Sequence, residues 1–274
     1  MLGKLIRYDS KVQFKFIGSL FIVSLFISLV AGFGGYLYEV CPDVMLVKIF
    51  KMLTLGFSVL VVVAMVFANA IYVVMYFRKN IFRDEGYLMH TLPVTETQLF
   101  FSKFLTGTLC IYLSVIAAYL SICMGTRRWD YIGAFVKMLK ESGMQETWTC
   151  ILVLLMFLLL VPLTLCQFYA ALTLGYTWKI KSANPVNRDL LSILSYIVLY
   201  MVQQMMGLAA IAIYFVSHFG VLEGFVAFME HSPDESVISY VQGLVGTAFA
   251  LNFVFAVILL VVILRRLNHH LDLD

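Results

Sequence analysis

The sequence predicts an all-α polytopic membrane protein with six transmembrane helices, and three observations carry that prediction. Of its 274 residues, 62% are hydrophobic and only 13% charged, about half the charge share of a soluble domain. The apolar residues fall in unbroken blocks, each long enough for the roughly 20 helical residues that cross a bilayer. Within a block apolar and polar residues do not alternate, as they would in the strands of a membrane barrel. The blocks lie at about 16–38, 52–77, 104–124, 149–173, 190–217 and 242–264, so the chain reads as one transmembrane domain over 1–274.

The opening segment, MLGKLIRYDSKVQFKF, intersperses Leu2, Leu5, Ile6, Val12, Phe14 and Phe16 with Lys4, Arg7, Lys11 and Lys15. This mixture predicts an amphipathic helix over 1–15 lying on the inner leaflet. The alternative is a basic flank that only sets orientation. The first apolar block is too long for a signal-peptide core, and no small-x-small cleavage site follows it, so it reads as an uncleaved anchor.

Orientation follows from the basic residues. With the N-terminus inside, the inner segments hold Lys4, Arg7, Lys11, Lys15, Arg78, Lys79, Arg83, Lys103, Lys179, Lys181, Arg188, Arg265 and Arg266. The outer segments hold Lys48, Lys51, Arg127, Arg128, Lys137 and Lys140. That asymmetry places both termini in the cytoplasm by the positive-inside rule. The acids Glu223, Glu230, Asp234 and Glu235 in the last outer loop agree with it; Arg127 and Arg128 run the other way. The net charge of +3 therefore reports topology and gives no reason to expect nucleic-acid binding.

Between the second and third blocks, FRDEGYLMHTLPVTETQLFFSK is far more polar than its flanks. On a helix, Ile81, Glu85, Leu88 and Leu92 share one face and Asn80, Arg83, Asp84, Tyr87 and Thr91 another. That helix must stop before Pro93, because the residue preceding a proline is pushed out of the α region. Thr95 then caps a new helix, with Gln98 closing a capping box and Val94 and Leu99 placed as a hydrophobic staple. The expectation is a cytoplasmic helix–elbow–helix over 78–103 that another protein holds, against the plainer alternative of a connecting loop. Glu85, on the apolar face, is expected to pair with Arg78 or Lys103 or to bind a helix end.

The other connections carry weaker signals. In GYTWKIKSANPVNRD either Ser182 or Asn187 could cap the fifth span. WDYIGAFVKMLKESG reads as a short outer helix starting at Asp130 and ending before Gly143. In 219–240, an apolar first half is followed by Ser232, Pro233 and Glu235 in capping-box order; a segment dipping into the outer leaflet is expected there, with Gly243 and Gly246 breaking the chain before the last span. Pro162 is expected to kink the fourth span.

The spans themselves lack the groups most chemistry requires. Buried Asp, Glu or His for proton relays is missing from the apolar blocks, as is HExxH for a metalloprotease and GxxxxGK[ST] for ATP. Cys41, Cys110, Cys123, Cys150 and Cys166 are scattered, with no CxxC pair or Cys/His cluster to indicate disulfides or a metal. An enzyme is not expected. What the spans do carry is a stripe of Met65, Asn69, Tyr72 and Tyr76 in the second and of Tyr196, Tyr200, Gln203, Gln204 and Gly207 in the fifth, beside Met201, Met205 and Met206. Such stripes are either a cavity wall for an amphiphile, around which Met and aromatics repack, or helix–helix glue. Gln167 and Asn252 read as glue.

These features together resemble the permease half of a bacterial type V ABC exporter. The resemblance spans the chain and is sharpest at FRDEGYLMHTLPVTETQLFFSK, through Asp84, Glu85, Gly86, Leu88, Leu92, Pro93, Val94 and Lys103. It implies residence in the bacterial plasma membrane and a homo- or heterodimer of permeases, each docking a cytosolic ATPase subunit that binds the ATP and magnesium. It implies that 82–92 is a coupling helix, making Arg83, Asp84, Glu85, Gly86, Tyr87, Leu88, Leu92 and Pro93 the ATPase-coupling residues. It further implies that spans two and five line the substrate pathway and that 219–240 forms an outer gate. The expected function is export of an amphiphile, an amphipathic or antimicrobial peptide by preference, with short helices between spans five and six. The alternative is a non-transporting immunity or assembly factor that binds a partner in the membrane.

Overall fold

The computed structural model describes residues 2–83, 94–130, 133, 137, 144–177, 185–217 and 235–270. Six helices account for nearly all of them: α1 (Leu2–Val40), α2 (Met45–Phe82), α3 (Glu96–Thr126), α4 (Met144–Thr177), α5 (Pro185–Ser217) and α6 (Glu235–His270). Each is long and apolar enough to cross a membrane, and no strand occurs among the described residues. The packing divides the chain into two units, Met1–Phe135 and Val136–Asp274, each built on three helices.

In the first unit α1 packs on both α2 and α3, which also touch each other. α1 and α3 run parallel: Asp9 meets Lys103, Ser24 Oγ lies 3.2 Å from Ser121 Oγ, and Gly32 faces Met124. Small residues permit the approach. Ser24, Ser28 and Gly32 recur every four residues on α1, and Ala117, Ser121 and Gly125 do the same on α3. A Cβ on Gly32 would stand 2.7 Å from the Met124 carbonyl oxygen. Without water or a lipid-driven hydrophobic force between helices, this kind of close backbone contact is what holds membrane helices together. The interior is accordingly rich in small and polar groups, while Phe26, Phe33, Phe57, Phe67 and Ile71 point outward. The far end is tied by Arg127, at φ 56°, to Glu39 at 2.7 Å.

The expected interfacial helix over 1–15 is not set apart from the first span. It forms the first turns of one continuous 39-residue helix, about 58 Å long at 1.5 Å per residue. The reason is visible in its buried face: Asp9, Gln13 and Ile17 continue the same inward row as Ser24 and Ser28, and leaving the bundle would strip Asp9 of its partners.

In the second unit α4 packs on α5 and α6, and α5 touches α6. Two glycines set the spacing. A Cβ on Gly175 would fall 2.1 Å from Ser192 Oγ and 2.7 Å from its Cα, and one on Gly243 would collide with the Tyr214 hydroxyl. The expected break at Gly243 and Gly246 is therefore absent: α6 runs through both, and Gly243 serves side-chain access. α4 is a single helix with Pro162 inside it. α5 opens at Pro185, a residue suited to a first helical turn, which puts Asn187 inside that turn instead of at a cap. Ser182 and residues 218–234 lie outside the described residues, as does nearly all of 131–143.

Because Ser192 backbone atoms cannot yield, Gly175→Ala is expected to destabilise the protein by about 1–3 kcal/mol, lowering thermal unfolding of the detergent-purified chain by several degrees. Gly207→Ala, where an added Cβ meets nothing within 4 Å, is expected to leave the transition in place. Equal behaviour of the two variants would contradict the α4–α5 contact.

Candidate functional site

The foot of the first unit holds the one fully buried ion pair among the described residues. Asp9 from α1 and Lys103 from α3 are both 0% exposed and in direct contact. Tyr76 of α2 donates to Asp9 Oδ1 at 2.8 Å, and Ser102 Oγ sits 3.1 Å from Oδ2. The Lys103 ammonium also lies 4.7 Å from the centroid of the Tyr76 ring, within cation–π range. All three helices thus converge on one carboxylate.

Local sequence delivers each group. Thr95 caps α3, accepting the Gln98 N–H at 3.4 Å, as its spacing predicted. With the helix phase fixed there, Leu99, Ser102, Lys103 and Thr106 fall on its buried side. Phe100 meets Phe77 edge to face at 6.2 Å between centroids, holding α3 against α2. Asn80 donates to the Tyr76 carbonyl at 2.9 Å.

A buried ion pair gains little over an apolar core, but removing one partner strands a charge where water cannot reach it. Asp9 and Lys103 therefore make a lock between α1 and α3. They stand at the level where the third apolar block begins, so the absence of charge within the apolar blocks and the presence of this pair are compatible. The carboxylate partner of Lys103 among the described residues is Asp9, a residue sequence reasoning passed over. Its signal was there: a single acid in a basic opening segment, and a lysine at the start of an apolar block.

Residues 84–93 lie between two helices that this cluster holds. α2 ends at Phe82, with Arg83 extended and exposed after it. Asp84, Glu85, Gly86, Tyr87, Leu88, Leu92 and Pro93 lie outside the described residues. Tyr76 sits about two turns before the segment and Lys103 about two turns after Thr95, so both flanking helices are anchored on Asp9.

The two polar stripes separate into different environments. Met65 and Asn69 are buried, and Asn69 Nδ2 donates to the Cys110 carbonyl at 3.1 Å and to Ser114 Oγ at 2.9 Å. Tyr72 stacks on Phe16 at 3.9 Å. In α5, Gln203 accepts from Gln167 and donates to Asn252 Oδ1 at 2.9 Å, a bridge across α4, α5 and α6. Gln167 and Asn252 thus act as interhelical links, as expected. Gln203 and Asn252 also border a cavity of about 100 Å³ with Met206 and Gly207. Tyr196 stacks on Phe168 at 4.4 Å, while Tyr200, Met201, Gln204 and Met205 are exposed.

No family model, curated protein or solved structure matches this chain.

The lock has a sharp test in a double-mutant cycle. Asp9→Leu or Lys103→Met alone is expected to cost about 3–5 kcal/mol, and the Asp9→Leu/Lys103→Met pair to recover most of it. Thermal unfolding in detergent measures all four proteins; additive losses would mean the two groups do not depend on each other.

Proposed function

We propose that this chain is the transmembrane permease subunit of an ATP-driven exporter, powered by a separate cytosolic ATPase subunit. The observation that carries the reading is that the helices on both sides of residues 84–93 are anchored together. A polar segment joins two helices that are fixed to each other through α1 by the buried Asp9, Tyr76 and Lys103 cluster. A push delivered to residues 83–95 would move those helices together, which a relay needs and a slack loop cannot supply.

In this reading Arg83, Asp84 and Tyr87 face the ATPase, and Glu85 steadies the segment. Two permease copies pair in a bacterial plasma membrane with termini in the cytoplasm, and ATP and magnesium belong to the ATPase subunit. The pathway assignment narrows to residues not already committed to internal bonds. The exposed Tyr200, Met201, Gln204 and Met205 of α5 combine a phenol, an amide and two adaptable thioethers, a set suited to an amphiphilic peptide. Met65, Asn69 and Gln203 serve the bundle.

The test is capture from detergent of the tagged chain co-expressed with its neighbouring genes. A cytosolic ATPase is expected to copurify with wild type and to fall at least about tenfold, or 1.4 kcal/mol of association, in the Asp84→Ala/Tyr87→Ala variant. Wild type that captures no ATPase overturns the reading in favour of a non-transporting membrane factor. In the assembled complex, Glu85→Ala is expected to leave ATP hydrolysis running while substrate release into proteoliposomes fails. Normal transport by that variant would remove Glu85 from the relay.

A further inference from the structure

Inside the first unit, three buried side chains hold an oxygen that has no hydrogen-bond partner among the described residues: Gln13 Oε1, Asn69 Oδ1 and Ser28 Oγ. None of the three residues is more than 1% exposed. Asn69 and Ser28 lie well within the apolar blocks 52–77 and 16–38, at a depth where bulk solvent is absent and an unpaired polar group is costly.

The Asn69 acceptor is fixed by its own neighbours. Its Nδ2 donates to the Cys110 carbonyl at 3.1 Å and to Ser114 Oγ at 2.9 Å. A carbonyl can only accept, so the amide cannot turn over and present Oδ1 there instead. The Ser114 hydroxyl spends its one proton on the Ile111 carbonyl at 2.8 Å. Oδ1 therefore needs a donor that none of these groups supplies.

Ser28 stands at a looser contact. One turn beyond the Ser24 and Ser121 pair, α1 faces Gly125 of α3. A Cβ on Gly125 would come no closer than 3.5 Å to Ser58 Oγ and 3.7 Å to the Ser28 carbonyl, so the glycine leaves a small recess bordered by oxygens. The Ser58 proton is committed to the Leu55 carbonyl at 2.8 Å. What sits in that recess must donate.

The three oxygens are neutral and separated in depth. Along the helices Gln13 and Ser28 lie about 6 and 28 Å beyond Asp9, and Asn69 about 10 Å beyond Tyr76. Single neutral acceptors so spaced suit neither a chelated cation nor one extended ligand. They suit water, which is small, uncharged and has two protons to give.

We propose that the interior of α1, α2 and α3 binds individual water molecules: one donating to Asn69 Oδ1, one to Ser28 Oγ in the recess beside Gly125, and one to Gln13 Oε1. Buried waters of this kind complete the bonding of otherwise unpaired groups and belong to the structure. With the buried Thr106, Ser114, Ser24 and Ser121 between them, they complete a polar line through the unit from Asp9 to Ser28. The assignment does not rest on the export reading.

Water-edited solid-state NMR on the full-length, ¹⁵N-labelled protein in phosphatidylcholine bilayers reads the Asn69 site, and the Asn69→Leu variant identifies its side-chain amide signal. That signal is expected to receive magnetisation from water faster than the backbone amide of Ala170, which is fully buried in α4. A rate no faster than that of Ala170 overturns the Asn69 site. The Ser28 site is read by the sign of a stability change. Ser28→Ala and Gly125→Ala are each expected to lower the unfolding midpoint in detergent by about 2–4 °C, since one removes a partner of the water and the other its space. A dry contact would respond the opposite way, because losing an unpaired oxygen and adding a methyl group between helices both stabilise. A midpoint raised or unchanged in either variant overturns the Ser28 site. Ser19→Ala, whose exposed hydroxyl bonds the Phe16 carbonyl of its own helix, is expected to leave the midpoint in place.

Discussion

Everything in the first unit depends on where the charge of Asp9 goes. A carboxylate placed among packed helices at the edge of a bilayer has no inexpensive state unless a cation and hydrogen-bond donors meet it. Lys103, Tyr76 and Ser102 meet it together, one group from α2 and two from α3. Because the acid belongs to α1 and its donors to α2 and α3, the three helices share one register. The serine and glycine ladder of α1 and α3 then falls into contact along the same parallel axis, from Ser24 against Ser121 to Gly32 against Met124. The ion pair sets the register, and the small residues let the backbones use it.

The second unit solves the same problem without charge. Gln167, Gln203 and Asn252 pass hydrogen bonds across three helices, and glycines at 175 and 243 admit Ser192 and Tyr214. Amides can link helices at depth with a smaller desolvation cost than ions carry. Their strength is correspondingly modest, so shape at the glycine contacts decides how closely α4, α5 and α6 pack. The two units show two ways to build an interior in a solvent as apolar as leucine.

The helices were legible because a bilayer leaves no alternative: every backbone group in it needs an internal partner, and apolar blocks of sufficient length become helices. The start of α3 was legible for a local reason, since Thr95 and Gln98 complete their bond within one turn. Asn69 and Gln203 show where reading stops. Their spacing with tyrosines and methionines fits a cavity wall as well as a helix contact, and only the positions of Ser114 and Asn252 distinguish the two. Asp9 shows the same limit more strongly. In sequence it is one acid among four bases, and its partner lies 94 residues away. The α1 boundary at residue 15 was misplaced for this reason: the composition of 1–15 is interfacial, but its buried face belongs to the bundle.

That separation has a consequence for biosynthesis. α1 leaves the ribosome first, carrying an acid whose counter-ion has yet to be made. At 5–20 residues per second, roughly 5 to 20 s pass before Lys103 is synthesised, and longer before α3 enters the membrane. Until then the first turns of α1 cannot occupy their final site without stranding a charge, so they must wait at the aqueous boundary, where the basic residues around Asp9 are well solvated. The foot of the helix that appears first thus gains its counter-ion only once the third helix has been made.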